Sequence, residues 1–492
     1  MDRSLAETVA QDRSFFNIID GKPADALSGQ RLDVVCPSDG RTFATIPQSS
    51  ADDVDAAVRS ARNAFESTPW GRMAAVDRGR LLLRLSELIL ENKDELAALE
   101  SRDTGKPIRQ GVADIVGCAR YFEFYGSAAD KIHGTTLPIP GAYLALTLRE
   151  PHGVVAGIIP WNYPAQIMGR VAGAGLAMGN TLVLKPAEDA CLSVIRVAEL
   201  ALEAGIPGGV FNVVTGLGAE AGAALSSHRG VDFVTFTGSP ATGTAIQQAA
   251  AVNNRGVTME LGGKSPQIVF ADANLDKALP VVVNAIIQNG GQTCSAGSRV
   301  LIEASIYDEF TSALGAEFQK LKAGPHYADL DLGALINRSQ YDRVQGFLER
   351  AGSDGIEVLA EGMVSETAPS DGFYTKPTLY GGVPTQSTLA RDEVFGPVLS
   401  AFRFEGEDEA VRIANDTEYG LVAGIWTANG SRQMRMAKRV RAGQIFVNAY
   451  GAGGGIELPF GGFKRSGHGR EKGFEGLFHM SATKTVIFNH ED

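Results

Sequence analysis

The stretch Val154-Val-Ala-Gly-Ile-Ile159, followed by Pro160-Trp-Asn-Tyr-Pro164 and the apolar run Ala165–Ala177, decides the fold of this chain. An apolar hexapeptide bounded by turn residues predicts a buried strand, and the longer run predicts a helix. A second short apolar segment, Thr181–Leu184, follows and predicts another strand. A strand, a helix and a strand in this order indicate a parallel unit with the helix packed on the sheet.

The alternation of strands and helices extends over most of the remaining chain. In the first region it includes helices Leu192–Ala204, Gly218–Ser226 and Pro240–Ala251 and strands Val210–Val214 and Val231–Phe236. A second region, from about Pro266 to about Gly467, includes strands Leu399–Phe404, Val422–Thr427 and Gln444–Asn448 and helices Asp408–Ala414 and Arg432–Arg441. With 492 residues the chain is too long for one core. We therefore expect an α/β protein with two Rossmann-like parallel-sheet domains.

Composition excludes several classes of partner. The formal net charge is −12 and no basic block is present, which argues against nucleic acid. No apolar run reaches the roughly 18–20 residues that a membrane span needs. Met1–Glu7 contains acids and lacks the apolar core of a secretory signal. The four cysteines, Cys36, Cys118, Cys191 and Cys294, are far apart, so we expect reduced thiols, no metal site and a cytoplasmic location.

One cysteine stands in an unusual context. Cys294 lies in Gln288-Asn-Gly-Gly-Gln-Thr-Cys294-Ser-Ala-Gly297, where small neighbours allow a substrate to approach the thiol. Glu260 opens Glu260-Leu-Gly-Gly-Lys-Ser-Pro266 upstream. A thiol and a carboxylate together suggest covalent catalysis followed by hydrolysis of an acyl-enzyme. Taken alone, a cysteine is usually a buried small side chain and a glutamate a surface acid.

Five motifs in order give the chain a family resemblance. The two segments above, with Pro160–Pro164, Lys185-Pro-Ala-Glu188 and Glu393-Val-Phe-Gly-Pro397, resemble the aldehyde dehydrogenase superfamily. The resemblance runs from about Phe16 to about Phe488. Because Glu260 is present, it points to the hydrolytic branch, which does not acylate coenzyme A.

The resemblance also implies how the chain is divided. Residues 1–131 and 152–262 would form an NAD-binding domain and residues 263–477 a catalytic domain. Residues 132–151 and 478–492 would form a small β oligomerisation arm, and their strand-forming composition fits that expectation. The chain is then expected to act as a homodimer or a homotetramer.

The expected cofactor is NAD, with NADP as an open alternative. Phe236-Thr-Gly-Ser-Pro-Ala-Thr-Gly243 follows a predicted strand and opens a helix, whose N-terminus suits a pyrophosphate. As a bare pattern it is equally typical of an ordinary turn, and the family motif raises its significance. By resemblance, Lys185 and Glu188 would hold the adenosine ribose, and the carboxylate would repel a 2′-phosphate. The expected cofactor residues are Ile158, Pro160, Trp161, Lys185, Glu188, Gly218, Gly238, Ser239, Gly243, Leu261, Glu393 and Phe395.

The resemblance implies a mechanism for the catalytic residues. The Cys294 thiolate would attack an aldehyde, and the side-chain amide of Asn162 and the backbone N–H of Cys294 would stabilise the oxyanion. After oxidation a thioester remains, which Glu260 would hydrolyse by activating water. Lys185 would additionally tune the thiolate. Asn162 by itself is equally compatible with a plain turn residue.

The aldehyde is less well determined. Family alignment places Tyr163, Arg170, Gln288, Thr293, Ser295 and Phe460 along the substrate tunnel. Arg170 stands where succinate-semialdehyde dehydrogenases keep an arginine for the substrate carboxylate. Gln288 and Gly455 depart from that pattern, where those relatives have a second Arg and a Ser. The first hypothesis is an enzyme for a carboxylate-bearing semialdehyde, and the second is a broad-specificity enzyme for aromatic or aliphatic aldehydes. Arg170 would then have no contact with the substrate if it turned away into a structural ion pair.

Three rival classes share parts of this pattern. A coenzyme A-acylating dehydrogenase would lack Glu260. A non-catalytic binding or structural protein on the same fold would have lost the cysteine, the glutamate or the cofactor turn. A cysteine hydrolase without redox chemistry would not depend on a nicotinamide cofactor.

Overall fold

The computed structural model describes residues 9–451 and 455–491. Met1–Glu7, on which the expectation of no secretory signal rests, lies outside the described residues. The α-helices are Ala51–Ser67, Ala75–Glu91, Lys93–Thr104, Ile108–Ala128, Pro164–Ala177, Leu192–Glu203, Ala223–Ser226, Pro240–Ala251, Leu275–Ile287, Tyr307–Phe318, Arg338–Ser353, Thr388–Arg391, Gly406–Asn415, Gly430–Arg439 and Gly473–His479. None of the helices in this described part is long and apolar enough to cross a membrane.

The strand Val154–Ile159 lies inside an eight-stranded sheet. It pairs in parallel with Thr181–Pro186 on one side and with Phe233–Thr237 on the other. All of its residues are buried, as expected for a central strand covered on both faces. The spatial order of the sheet is Gly467–His468, Gly256–Glu260, Phe233–Thr237, Val154–Ile159, Thr181–Pro186, Phe211–Val213, Asn17–Ile19 and Lys22–Ala24.

A second, seven-stranded sheet follows in the C-terminal half. Its inner strands are parallel, and an antiparallel strand stands at one edge. The spatial order is Glu357–Glu361, Thr378–Gly381, Val398–Phe404, Arg299–Glu303, Pro266–Val269, Val422–Trp426 and Gln444–Val447. The two sheets confirm the predicted α/β class with parallel-sheet domains.

The two sheets present opposite strand ends to each other. The chain leaves the first sheet at the carboxyl end of Gly256–Glu260 and enters the second at the amino end of Pro266–Val269 only a few residues later. Loops at the carboxyl ends of strands in the first sheet therefore meet loops at the amino ends of strands in the second. In open α/β sheets, ligands bind at the carboxyl ends of parallel strands, where the strand order changes direction.

Three smaller sheets complete the described structure. Ser481–Asn489, Tyr143–Pro151 and Thr136–Leu137 form an antiparallel three-stranded sheet, so the predicted strands of the arm are present. Arg13–Ser14, Arg41–Pro47 and Arg31–Cys36 form another sheet, and Lys322–Ala323 pairs with Met363–Val364. The domain boundaries drawn from the sequence stay a prediction.

Apolar clusters on the faces of the large sheets hold this arrangement together. One cluster joins helices Ala75–Glu91, Ile108–Ala128 and Pro164–Ala177 to the first sheet and includes the buried Trp70 and Phe122. Burying a side chain of this size contributes roughly 1.5–3 kcal/mol. The helix Pro164–Ala177 is buried at nearly every position, which fixes the segment that carries Arg170.

Candidate active site

Cys294 lies in the turn between the helix Leu275–Ile287 and the strand Arg299–Glu303. It is partly exposed, whereas Cys36, Cys118 and Cys191 are buried. A Cβ atom on Gly263 would lie 2.3 Å from the backbone oxygen of Cys294. Close packing of the Glu260–Pro266 motif against the cysteine loop therefore requires glycine there.

Two cavities meet at Cys294. We call the first the substrate cavity; it is lined by Tyr121, Asn162, Tyr163, Gln166, Ile167, Arg170, Gln288, Thr293, Cys294, Ser295, Phe460 and Lys472. We call the second the cofactor cavity; it is lined by Pro160, Trp161, Asn162, Thr237, Gly238, Ser239, Pro240, Ala241, Glu260, Gly262, Cys294, Gln340, Arg343, Glu393, Phe395 and Tyr419. Asn162 and Cys294 are common to both linings. A molecule in either cavity can therefore reach the thiol.

Asn162 follows the strand Val154–Ile159 and is held from both ends. Its side-chain Nδ2 donates to the backbone oxygen of Gln292 at 3.0 Å. Its own backbone oxygen accepts from Lys106 Nζ at 2.9 Å and from Asn289 Nδ2 at 2.8 Å. One N–H of the amide is thus used as an anchor, and the second stays available to an oxyanion.

Lys106 is a supporting residue that the sequence did not reveal. Its side chain is fully buried between the carboxylates of Glu100 and Asp114, and its ammonium also reaches Asn162. The two carboxylates outweigh the effect of burial and raise the pKa of Lys106 above its usual value. A lysine after a helix is typical of a surface residue, so only the three-dimensional contacts expose this role.

Glu260 ends its strand with a buried carboxylate. Neither side-chain oxygen has a hydrogen-bond partner among the described residues. Burial, reinforced by the nearby negative charge of Glu471, raises the pKa of Glu260 well above its usual value. A carboxyl group of this kind can take up a proton near neutral pH, which suits a general base.

Burial also changes the ionisation of the nucleophile candidate. It raises the pKa of the Cys294 thiol to about 12, although the positive charge of Arg170 works in the opposite direction. The thiol is therefore mostly protonated at neutral pH. A base must accept its proton before the sulfur can attack a carbonyl.

The predicted phosphate turn has the expected local structure. Ser239 caps the helix Pro240–Ala251, and its side chain accepts from Thr242 N. Gly243 packs against Leu261, since a Cβ atom there would lie 2.7 Å from Leu261 Cδ2. The glycine is thus explained by packing, and Gly238 and Ser239 remain on the wall of the cofactor cavity.

The loop around Glu393 closes the other side of the cofactor cavity. Glu393 Oε1 accepts from the backbone N of Gly263 at 2.9 Å, and burial raises the pKa of Glu393 to about 7. The rings of Trp161 and Phe395 meet edge to face with centroids 5.4 Å apart. Segments distant in sequence therefore build one wall.

Several predicted cofactor residues lie outside the lining of this cavity: Ile158, Lys185, Glu188, Gly218, Gly243 and Leu261. The sequence predicted a strand Thr181–Leu184 that ends just before Lys185. In the structure the strand is Thr181–Pro186 and includes Lys185, so the predicted end was wrong. The Lys185 ammonium pairs with Glu188 at 2.8 Å, and Glu188 also accepts from Gly218 N at 3.3 Å. These contacts join Lys185, Glu188 and Gly218 in one cluster, and the suggested effect of Lys185 on the thiolate stays a prediction.

All six predicted substrate residues line the substrate cavity. The Tyr163 hydroxyl and Thr293 Oγ1 are 2.8 Å apart. Arg170 forms a buried ion pair with Glu471 and donates to Thr237 Oγ1 at 3.2 Å. Burial opposes the charge of Arg170, but Glu471 outweighs it and raises the arginine's pKa. The ion pair favours a structural role over a free carboxylate clamp.

Sequence reasoning missed other residues of the two linings. Tyr121, Gln166 and Lys472 belong to the substrate cavity, and Gln340 and Arg343 belong to the cofactor cavity. Tyr121 and Lys472 come from helices or loops outside the recognised motifs. No periodicity or spacing in the sequence marks them as site residues.

Known proteins resemble this chain in sequence and in fold. The model of the aldehyde dehydrogenase family matches residues 24–486. Aldehyde dehydrogenase 1 of Tanacetum cinerariifolium is 41% identical over 489 residues, 98% of this chain and 96% of that protein. A crystal structure from Burkholderia cenocepacia is 59% identical with a TM-score of 0.96 and covers 97% of this chain and 100% of that one.

The crystal structure of an NAD-dependent aldehyde dehydrogenase from Sinorhizobium meliloti is 41% identical with a TM-score of 0.94. It covers 98% of this chain and 96% of that chain. The matches cover nearly the whole chain and agree with the family that the five sequence motifs indicated. The chain belongs to the aldehyde dehydrogenase family.

Proposed function

We propose that this protein oxidises an aldehyde to a carboxylic acid through a thioester on Cys294. The observation that carries the proposal is the position of Cys294 and Asn162 on both cavities. A thiol at such a junction can hold the substrate carbon where an electron acceptor in the second cavity can reach it. A binding protein would have no need for that arrangement.

The first half of the reaction uses Cys294 and Asn162. The Cys294 thiol first loses its proton to water, and the thiolate then attacks the carbonyl carbon and forms a tetrahedral thiohemiacetal. Its oxyanion would accept from the free N–H of the Asn162 amide and from the backbone N–H of Cys294. Because Lys106 and Gln292 hold Asn162 in place, little reorganisation accompanies the development of charge.

The second half uses Glu260. The thioester left after oxidation must react with water, and Glu260 is the carboxylate that shares the cofactor cavity with Cys294 and has no protein hydrogen bond in the described chain. Its raised pKa lets it remove a proton from water and release it later. The products are the carboxylic acid and the free thiol.

The cofactor cavity fits a nicotinamide dinucleotide. Ser239 and the start of the helix Pro240–Ala251 offer backbone N–H groups to a pyrophosphate, and Glu393 offers a carboxylate to a ribose hydroxyl. The bound nicotinamide would accept a hydride from the substrate carbon. The Lys185–Glu188 pair would hold the adenosine ribose and favour NAD, with NADP as the alternative.

The oligomeric state and location are separate proposals. Tyr143, Leu144, Leu148, Ile487 and Phe488 are all exposed on the small antiparallel sheet. Burying this apolar surface against a second copy of the chain supports a homodimer or homotetramer. The cytoplasmic location stays a prediction from the sequence.

The test is an NADH-formation screen with purified protein. Succinate and glutarate semialdehydes would be compared with neutral aliphatic and aromatic aldehydes, each with NAD and with NADP. We expect NADH and carboxylic acid in equal amounts for at least one class. Acid without reduced cofactor would indicate a hydrolase, and dependence on coenzyme A would indicate an acylating enzyme.

A further inference from the structure

Lys472 is a buried lysine on the wall of the substrate cavity. Only 3% of the residue is exposed, and it lines the cavity together with Cys294. It comes directly before the helix Gly473–His479, after a segment in which Glu471 pairs through its backbone with Phe460. Glu471 is held by this bridge and Gly473 by the helix, so the backbone of Lys472 between them has a defined position.

The backbone of Lys472 is strained. Its φ of 62° and ψ of 167° lie in a region that only glycine adopts readily. Such strain costs on the order of 1–3 kcal/mol. A glycine would fit this backbone more easily, yet the chain carries a long cationic side chain that reaches the cavity.

No carboxylate in the described part of the chain forms an ion pair with the ammonium of Lys472, although the charges of Glu457 and Glu471 act on it from a longer distance. Glu471, its neighbour, pairs with Arg170 and accepts from Thr235 Oγ1 at 2.8 Å. Glu457 pairs with Arg120 at 2.6 Å. The Lys472 ammonium lies over the Phe460 ring, 5.5 Å from the ring centroid.

A buried cation without an ion-pair partner is unfavourable. Burial, with the positive charge of Arg170, lowers the pKa of Lys472 to about 8, although the negative charges of Glu457 and Glu471 oppose the shift. An anion that enters the cavity would supply the missing partner. Arg170 offers less to such an anion, since its guanidinium is already paired with Glu471.

We propose that Lys472 binds a carboxylate on the substrate, so that this enzyme acts on aldehydes with a carboxylate at the end of the chain remote from the carbonyl. The inference rests on the proposed function and assigns the specificity to Lys472. The aldehyde end lies at Cys294, the carboxylate pairs with the ammonium, and the methylene groups between them pass the Phe460 ring.

The expected preference follows from the type of contact. A charge-assisted hydrogen bond is about twice as strong as a neutral one, and its loss in a buried site weakens binding roughly ten- to hundredfold. A neutral aldehyde of the same length leaves the ammonium unpaired. The semialdehyde is therefore preferred in kcat/KM over its neutral counterpart.

The experiment compares matched substrate pairs on four proteins, the wild type and three variants, at saturating NAD. Succinic semialdehyde is paired with butanal and glutaric semialdehyde with pentanal, and kcat/KM is measured for each on wild type, Lys472→Met and Lys472→Arg. Methionine keeps the length and removes the charge, and arginine keeps the charge. Lys438→Met removes an exposed lysine as a control for net charge.

We expect the ratio of semialdehyde to neutral aldehyde to fall about ten- to hundredfold in Lys472→Met and to stay largely preserved in Lys472→Arg and Lys438→Met. An unchanged ratio in Lys472→Met would overturn the inference, and so would a wild-type enzyme that prefers butanal and pentanal. An equal loss on both substrates would make Lys472 a structural residue. If wild type oxidised no aldehyde at all, the proposed function itself would fail.

Discussion

Replacement of Glu260 by glutamine separates the two halves of the proposed reaction. Glutamine has the same shape, and the glutamate oxygens have no hydrogen-bond partner to lose among the described residues. The carboxylate also bears a desolvation penalty, which the neutral amide avoids. We therefore expect the free energy of unfolding to change by less than about 1 kcal/mol.

The kinetic effect is expected to be large and confined to hydrolysis of the thioester. A general base typically contributes about 10²–10⁴ in rate, so steady-state turnover falls by that factor. Cys294 and Asn162 are untouched, so one equivalent of NADH per active site still forms before the reaction stalls. Stopped-flow absorbance at about 340 nm, the nicotinamide band, follows both phases.

The pH dependence gives an independent check. Because burial raises the pKa of Glu260, the base is increasingly protonated as the pH falls through that value. Wild-type deacylation then slows toward low pH and recovers above the raised pKa, and the glutamine variant lacks this dependence. Glu366→Gln, at an exposed site, serves as the control. Unchanged steady-state turnover in Glu260→Gln would refute the reasoning.

Three further substitutions test other parts of the site. Cys294→Ala should reduce dehydrogenase turnover by at least about 10⁴ while NAD binding, measured by calorimetry, persists; near-normal activity would contradict the mechanism. Gly262→Ala would place a Cβ atom 2.2 Å from Glu393 Oε2. We therefore expect a higher KM for NAD and a free energy of unfolding that is lower by about 1–3 kcal/mol, measured by thermal unfolding. Gly346 has open space around it, so Gly346→Ala should change neither quantity. Glu188→Gln should raise the NADP-to-NAD ratio of kcat/KM by about tenfold, and an unchanged ratio would remove Glu188 from cofactor selection.

Much of the fold followed from sequence periodicity. The helix Pro240–Ala251 has the predicted bounds, and the strands around Val154–Ile159 alternate with helices as expected. Short buried strands can be predicted from the sequence because they are apolar throughout and end at turn residues. The spatial order of the strands, and the meeting of the two sheets at opposite ends, depend on long-range packing that no local pattern encodes.

The site was predictable where residues belong to compact motifs and hidden where contacts are long-range. Cys294, Glu260 and Asn162 stand in short conspicuous segments. Lys472 and Lys106 look like ordinary surface lysines in the sequence, and only folding shows that both are buried. The partner of Arg170 is 301 positions away at Glu471, so its ion pair was one of several open alternatives.

The most direct test of the account is to locate the covalent intermediate. Glu260→Gln would be mixed with NAD and an aldehyde that wild type oxidises, quenched in acid, digested and analysed by mass spectrometry. The account predicts the mass of one acyl group on the peptide that contains Cys294, formed only when NAD is present. An unmodified Cys294 peptide after NADH has been released, or an acyl group on another residue, would contradict it.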